Sequence, residues 1–231
     1  MEKIKVFYDG TDVEEFSNHP SVVGFTTNIS FLKKAGISDY DSFIRESLTH
    51  AKGRPISFQL YDDDDDGIRR TARKISSYGE NVFVKIPVIK TNEESNSTVI
   101  KELHNEGVRV NVTAIFTKEQ VSSLKGCFNK TTPTIVSLFA GRVNDSGTDC
   151  SELVKHACDM FQDYPNVEIL WAACRTVYNM FEAENQGAHI VTVPGSVISR
   201  MHRIGDDHHE ASVAQVKSFR QDGIDGNIKF N

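Results

Sequence analysis

The chain has 231 residues, with 26 Lys and Arg against 32 Asp and Glu, a formal net charge of −6, 39% hydrophobic and 25% charged residues. That composition is globular, excludes general disorder and fibrous repeats, and suits one large domain with a sizeable core. An acidic balance without a Lys/Arg cluster argues against nucleic acid or an anionic membrane as partner.

Taken from the N-terminus, short β-branched apolar runs alternate with longer polar stretches of helical spacing. The first run is 4–8, and the link from Gly10 to Ser21 has room for only one or two helical turns before the second, 22–26. Ser38 and Asp39 are capping candidates for a helix whose Tyr40, Phe43, Ile44, Leu48 and Ala51 repeat on one face. Run 56–60 precedes a second periodic segment with Ile68, Ala72 and Ile75. Runs 82–86, 108–112 and 134–138 follow, then a helix carrying Leu153, Val154, Ala157 and Phe161, and finally runs 167–172 and 189–193. Gly53, Gly79, Gly107 and Gly187 stand between helical segments and strands, where a left-handed terminating residue costs least. Residues 211–219 read as a last helix, and 222–231 as an end that is either mobile or packed on a neighbour.

Each of the eight runs is apolar on both faces, as expected of parallel strands buried between a core and a helical layer. Eight βα units match an α/β fold of the (β/α)8 TIM-barrel class, predicted as a single domain over 1–231 with its C-terminal helix and tail from about 208. No stretch approaches the roughly 18 apolar residues of a membrane-spanning helix. The start leads into a strand rather than a signal-peptide core, so a soluble cytoplasmic protein is expected. Cys127, Cys150, Cys158 and Cys174 have irregular spacing, with neither a disulfide framework nor a zinc pattern, and read as reduced thiols.

In such a barrel the site lies at the C-terminal ends of the strands. Lys85 stands inside the apolar strand Val82-Phe83-Val84-Lys85-Ile86-Pro87, on the same face as Phe83. A buried ammonium is costly unless paired or deprotonated, and a lysine of lowered pKa can attack a carbonyl to form an imine. The alternative is a lysine whose stem packs while its head reaches solvent or an acid. Asp9, Thr26, Asn28, Gln59, Asn111 and Thr113 occupy comparable strand ends. Singly each is read as a strand cap or a satisfied core group; around an amine they supply the acid, amides and hydroxyls that imine chemistry uses. Arg142 and Arg175, beyond the sixth and seventh strands, either converge on one anion or pair with nearby carboxylates.

The ordered set Gly24-Phe25-Thr26-Thr27-Asn28, Val84-Lys85-Ile86-Pro87, Asn111-Val112-Thr113 and Phe139-Ala140-Gly141-Arg142 resembles the class I transaldolases and the related fructose-6-phosphate aldolases. The matches span most of the chain, from Asp9 to about Met201. The resemblance implies a Schiff-base lysine at Lys85, a general acid/base at Asp9, and a catalytic water held by Thr113 with Gln59 beside it. Substrate hydroxyls would be met by Asn28 and Asn111, with Thr26 and Phe139 completing the binding set and Arg142 and Arg175 taking the sugar phosphate.

No cofactor or metal is implied; the partners are sugar-phosphate substrates and further copies of the chain in a homo-oligomer. The activity implied is transfer of a dihydroxyacetone unit from fructose 6-phosphate or sedoheptulose 7-phosphate to an aldose phosphate. The alternatives are an aldolase releasing dihydroxyacetone and a non-catalytic sugar-phosphate-binding barrel. Phe139 and Asn111 resemble the transaldolase side and Gln59 the aldolase side. The family's Thr-Thr-Asn-Pro becomes Thr26-Thr27-Asn28-Ile29, and Ala173 replaces a serine that would help bind phosphate. The acidic run 62–66 reads as a solvated helix start rather than an ion site, and His208 and His209 are adjacent rather than spaced as ligands.

Overall fold

The computed structural model describes residues 4–229. Eight parallel strands close into a barrel in chain order, confirming the (β/α)8 class: β1 (Lys5–Asp9), β2 (Val22–Thr26), β3 (Ile56–Gln59), β4 (Val82–Pro87), β5 (Val110–Ile115), β6 (Thr134–Leu138), β7 (Val167–Trp171) and β8 (Ile190–Val193). The closing pair is β8 against β1, with Phe7 in register with Thr192. The first connection holds α1 (Val13–Ser17), and β2 is followed by α2 (Ile29–Lys34) and α3 (Tyr40–Ala51). Next come α4 (Asp65–Ser76), α5 (Ser97–Asn105), α6 (Lys118–Ser122), α7 (Ala140–Asp145), α8 (Ser151–Phe161), α9 (Tyr178–Asn185) and α10 (Gly195–Ile198).

The chain divides into two compact units, the first ending at Ile198 and the second beginning at Ser199. The barrel makes up the first. The second contains a 3-10 turn at Met201–Arg203 and α11 (His208–Asp225), which leaves Val213, Val216 and Phe219 exposed. Asp207 starts α11 by accepting from Glu210 N–H at 2.9 Å, so the helix extends beyond the expected 211–219 at both ends and takes in the first residues of the predicted tail. No helix among the described residues is long and apolar enough to cross a membrane.

Local chemistry sets the element boundaries. Asp39 accepts from Ser42 N–H at 3.0 Å and begins α3, which lays Phe43 edge-on against Phe58 of β3 with ring centres 6.1 Å apart. Asp64 caps α4 through Gly67 N–H at 2.8 Å. The other acids of that run have separate partners: Asp62 pairs with Arg70, Asp63 bonds Thr91, Asp65 pairs with Lys90, and Asp66 with Arg69. Asp63 and Asp65 thereby tie the β3–α4 loop to the β4–α5 loop.

Run 108–112 begins two residues too early, because Val108 is consumed in ending α5. Its N–H bonds Leu103 carbonyl at 3.1 Å while Gly107, at φ 90°, bonds His104 carbonyl at 3.0 Å. Gly53 and Gly187 also take left-handed backbone, whereas Gly79 does not.

The barrel interior is a contiguous cluster of Phe7, Phe83, Ile135, Leu170, Ala172 and Ile190, with Phe139 packed on it. Side chains from β1, β4, β6, β7 and β8 can touch one another only in the lumen, which fixes the inward face of those strands. Burying an aromatic or aliphatic side chain of this size contributes about 1.5–3 kcal/mol. Trp171 faces outward instead, fully buried under the helices with its indole N–H on Gln186 Oε1 at 3.2 Å.

Candidate active site

One alternation step beyond that apolar plug, the lumen turns polar. Asp9 follows Phe7 by two residues, Lys85 follows Phe83, Ser137 follows Ile135, and Thr192 follows Ile190, so all four face inward on the side of the strand C-termini. Register extends the layer: Gln59 pairs with Lys85 and Lys85 with Asn111, while Asp9 pairs with Thr26 and Thr26 with Ser57.

Two hydrogen-bond networks flank the lysine. On one side Thr26 Oγ1 donates to Asp9 Oδ1 at 2.7 Å, so its 2.6 Å contact with Thr192 Oγ1 is donated by Thr192. On the other, Ser137 Oγ donates to Asn111 Oδ1 at 2.6 Å and Asn111 Nδ2 donates to Ser57 Oγ at 2.9 Å. Both networks are assembled from residues on different strands, and they hold Asp9 and Asn111 in single orientations.

Lys85 itself is 5% exposed, and its Nζ donates to the carbonyl of Thr27 at 3.3 Å. Burial pushes the ammonium pKa down, and the charge of Asp9 pulls it partly back. Asp9 is half-buried; its pKa is raised by burial and held back by Lys85, by the Thr26 hydroxyl and by the charge of Arg175. Burial therefore works against the charged form of each group while their mutual attraction works against burial, which makes the ammonium a stronger acid and the carboxylate a stronger base than the free side chains.

Thr113, two residues beyond Asn111, is 2% exposed, and its Oγ1 has no hydrogen-bond partner among the described residues. The strand bulges immediately after it: Ala114 takes φ 58°, and the β5–β6 register shifts between Val112 and Ile115. Bulges of this kind re-aim a side chain beside a site.

The remaining expected residues sit around this layer. Phe139 is half-buried over the plug, its ring 5.3 Å from that of Phe116. Gln59 is half-buried, and its backbone carbonyl accepts from Tyr40 Oη at 2.9 Å. Asn28 uses its Oδ1 to cap α2 through Phe31 N–H at 3.0 Å, which leaves its amide N–H groups as the part that can meet a ligand. Arg142 is exposed in the first turn of α7. Arg175 is engaged by a carboxylate: its Nη2 and Nε donate to Asp145 Oδ2 at 2.9 and 3.2 Å. Of the two sequence readings for Arg175, the carboxylate partner is the one seen.

Ser57, Ser137 and Thr192 were missed by the sequence reading. For Ser137 and Thr192 the signal was present in the two-residue step from Ile135 and Ile190, legible only once those residues are known to face the lumen; Ser57 joins the layer through its register with Thr26.

A sequence model of the family Transaldolase/Fructose-6-phosphate aldolase matches residues 6–230. The chain is 30% identical over 233 residues to a "Probable transaldolase" of Thermoanaerobacter sp. (strain X514), covering 98% of this chain and 100% of that protein. It is 33% identical over 202 residues to a "Probable transaldolase" of Methanococcus maripaludis (strain C5 / ATCC BAA-1333), covering 86% and 89%. Among solved structures it is similar in fold to a 3-hexulose-6-phosphate synthase from Salmonella typhimurium, with a TM-score of 0.61 at 13% identity over 85% of this chain and 91% of that one.

Proposed function

The chain belongs to the transaldolase/fructose-6-phosphate aldolase family, and from that premise we propose that it transfers a dihydroxyacetone unit from a ketose phosphate to an aldose phosphate through a Schiff base on Lys85. The observation that carries the reading is a buried lysine in the polar layer of the lumen, in register with Gln59 and Asn111 and electrostatically coupled to Asp9.

The neutral amine adds to the C2 carbonyl of the ketose and, with a proton delivered by the acid form of Asp9 and loss of water, gives a protonated imine and the Asp9 carboxylate. Asp9 as carboxylate takes the C4 hydroxyl proton while the C3–C4 bond breaks; the bonding electrons enter the iminium, leaving an aldehyde and an enamine on Lys85. The acceptor aldehyde then bonds to C3, its oxygen takes the proton back from Asp9, and water releases the new ketose. Thr113, whose hydroxyl has no hydrogen-bond partner among the described residues, is suited to hold that water, and Gln59 to orient it. In this reading Asn111, Asn28 and Thr26 meet substrate hydroxyls, Phe139 forms the wall of the mouth, and Arg142 and Arg175 take the phosphate.

Transfer rather than release is favoured by Phe139, which carries no hydroxyl to protonate the enamine. Tyr8 alternates with the inward-facing Phe7 and Asp9 and so points away from the lumen, and Tyr40 donates its hydroxyl to the Gln59 carbonyl. A fructose-6-phosphate aldolase-like activity is the second reading, motivated by an amide at Gln59 that cannot accept a proton at neutral pH.

The test is borohydride reduction with fructose 6-phosphate followed by peptide mass, together with a donor and acceptor assay using erythrose 4-phosphate. A reduced adduct on the Lys85 peptide and formation of sedoheptulose 7-phosphate are expected, both lost in Lys85→Ala. Absence of the adduct would exclude covalent catalysis at this lysine, and free dihydroxyacetone formed at the same rate without acceptor would select the aldolase.

A further inference from the structure

We propose that Asp145 is a specificity-determining residue of the anion subsite, its carboxylate holding the place on the Arg175 guanidinium that a substrate phosphate must take. The inference rests on the transfer reading for its substrate class. Asp145 closes α7, one helical turn after Arg142, and accepts both the Nη2 and the Nε of Arg175. The positions are not accidental to a loose loop. The N–H of Gly141 bonds Ala172 carbonyl at 3.1 Å, docking the start of α7 on the end of β7, from which Arg175 follows.

Two guanidinium groups and one carboxylate leave a single positive charge at the rim. The charges of Arg142 and Arg175 both act on Asp145 and hold its carboxyl below the usual range, the Arg175 hydrogen bond foremost. α7 follows β6 and Arg175 follows β7, so the cluster lies at the C-terminal ends of the strands, the end of the barrel that carries Asp9 and Lys85. An anion arriving there competes with Asp145 for Arg175, whereas an uncharged donor does not. Asp145 and Arg175 have side chains 47% and 46% exposed, so the pair is solvated and displaceable rather than locked.

The experiment uses the full chain and Asp145→Asn, which keeps size and an acceptor oxygen but removes the charge; Asp145→Ser supplies a second variant of different shape. Inorganic phosphate binding is measured by calorimetry, and kcat/KM for fructose 6-phosphate is divided by kcat/KM for fructose. Phosphate is expected to bind about two- to fivefold more tightly in both variants, the range of an exposed ion pair. The donor ratio should rise by a similar factor, and neither gain should appear in the Arg175→Met background. Unchanged or weaker phosphate binding overturns the inference, as does a lowered donor ratio, the mark of an aspartate that orients Arg175 instead of competing for it. If the wild-type protein forms no borohydride adduct while phosphate still binds more tightly to the variants, the transfer reading fails and the role of Asp145 stands.

Discussion

Asp9 and Lys85 reach into the lumen from β1 and β4 and perturb one another, each charge opposing the shift that burial imposes on its partner. The coupling has a definite sign that kinetics can read. Removing the Asp9 charge takes away what raises the Lys85 pKa, so in Asp9→Asn the pH profile of borohydride trapping with dihydroxyacetone should move to lower pH. Trapping in both proteins should saturate below the ordinary lysine value of about 10.4. A profile displaced toward alkaline pH would contradict the coupling.

Thr113→Val separates stability from function. The hydroxyl is buried without a partner among the described residues, and valine has nearly its shape. An unmade hydrogen bond costs roughly 1–3 kcal/mol, so the variant should unfold at equal or higher denaturant concentration. Turnover should nevertheless fall, with trapping largely retained, because the step that uses water comes after the imine forms. Simultaneous loss of stability and trapping would mean that the hydroxyl serves packing.

His104 predicts an acid-sensitive fold. The residue is fully buried, its Nδ1 accepts from Asn129 N–H at 3.3 Å, and its Nε2 lies 2.8 Å from Thr134 Oγ1 and 3.2 Å from Thr132 carbonyl. Burial lowers its pKa, so the folded state prefers neutral imidazole. A base depressed in the folded state contributes stability above its unfolded pKa of about 6.5, and loses it as pH falls toward the folded value, by about 1.4 kcal/mol per pH unit. Urea midpoints measured from pH 7.5 to 5 should show this slope in the wild-type protein and a shallower one in His104→Gln; parallel curves would remove the histidine from the account.

Gly141→Ala tests the docking of α7. An added Cβ would stand 1.9 Å from the carbonyl oxygen of Ala173, a residue already in left-handed backbone at φ 66°. Neither backbone can yield cheaply, and overpacking of this kind costs about 1–3 kcal/mol. The thermal midpoint should drop, and because Arg142 and Asp145 move with α7, KM for fructose 6-phosphate should rise more than kcat falls. An unaltered KM with a lowered midpoint would confine Gly141 to stability.

Alternation and period alone determined that this chain is an eight-fold βα repeat, since parallel strands buried on both faces need continuous apolar runs and their helices need one apolar stripe. The same pattern exposed Lys85 as an anomaly, because an amine in such a run must be neutralised or paired. What it did not reveal is which side of each strand looks into the lumen, as a run apolar on both faces carries no inside or outside. Barrel closure decided that, and with it the contribution of Ser57, Ser137 and Thr192 to the polar layer. It also brought Asp145 onto Arg175, thirty positions apart in sequence. Hydrogen bonds and ion pairs between distant strands depend on register and on Å-scale geometry, and those quantities exist only after the chain has closed upon itself.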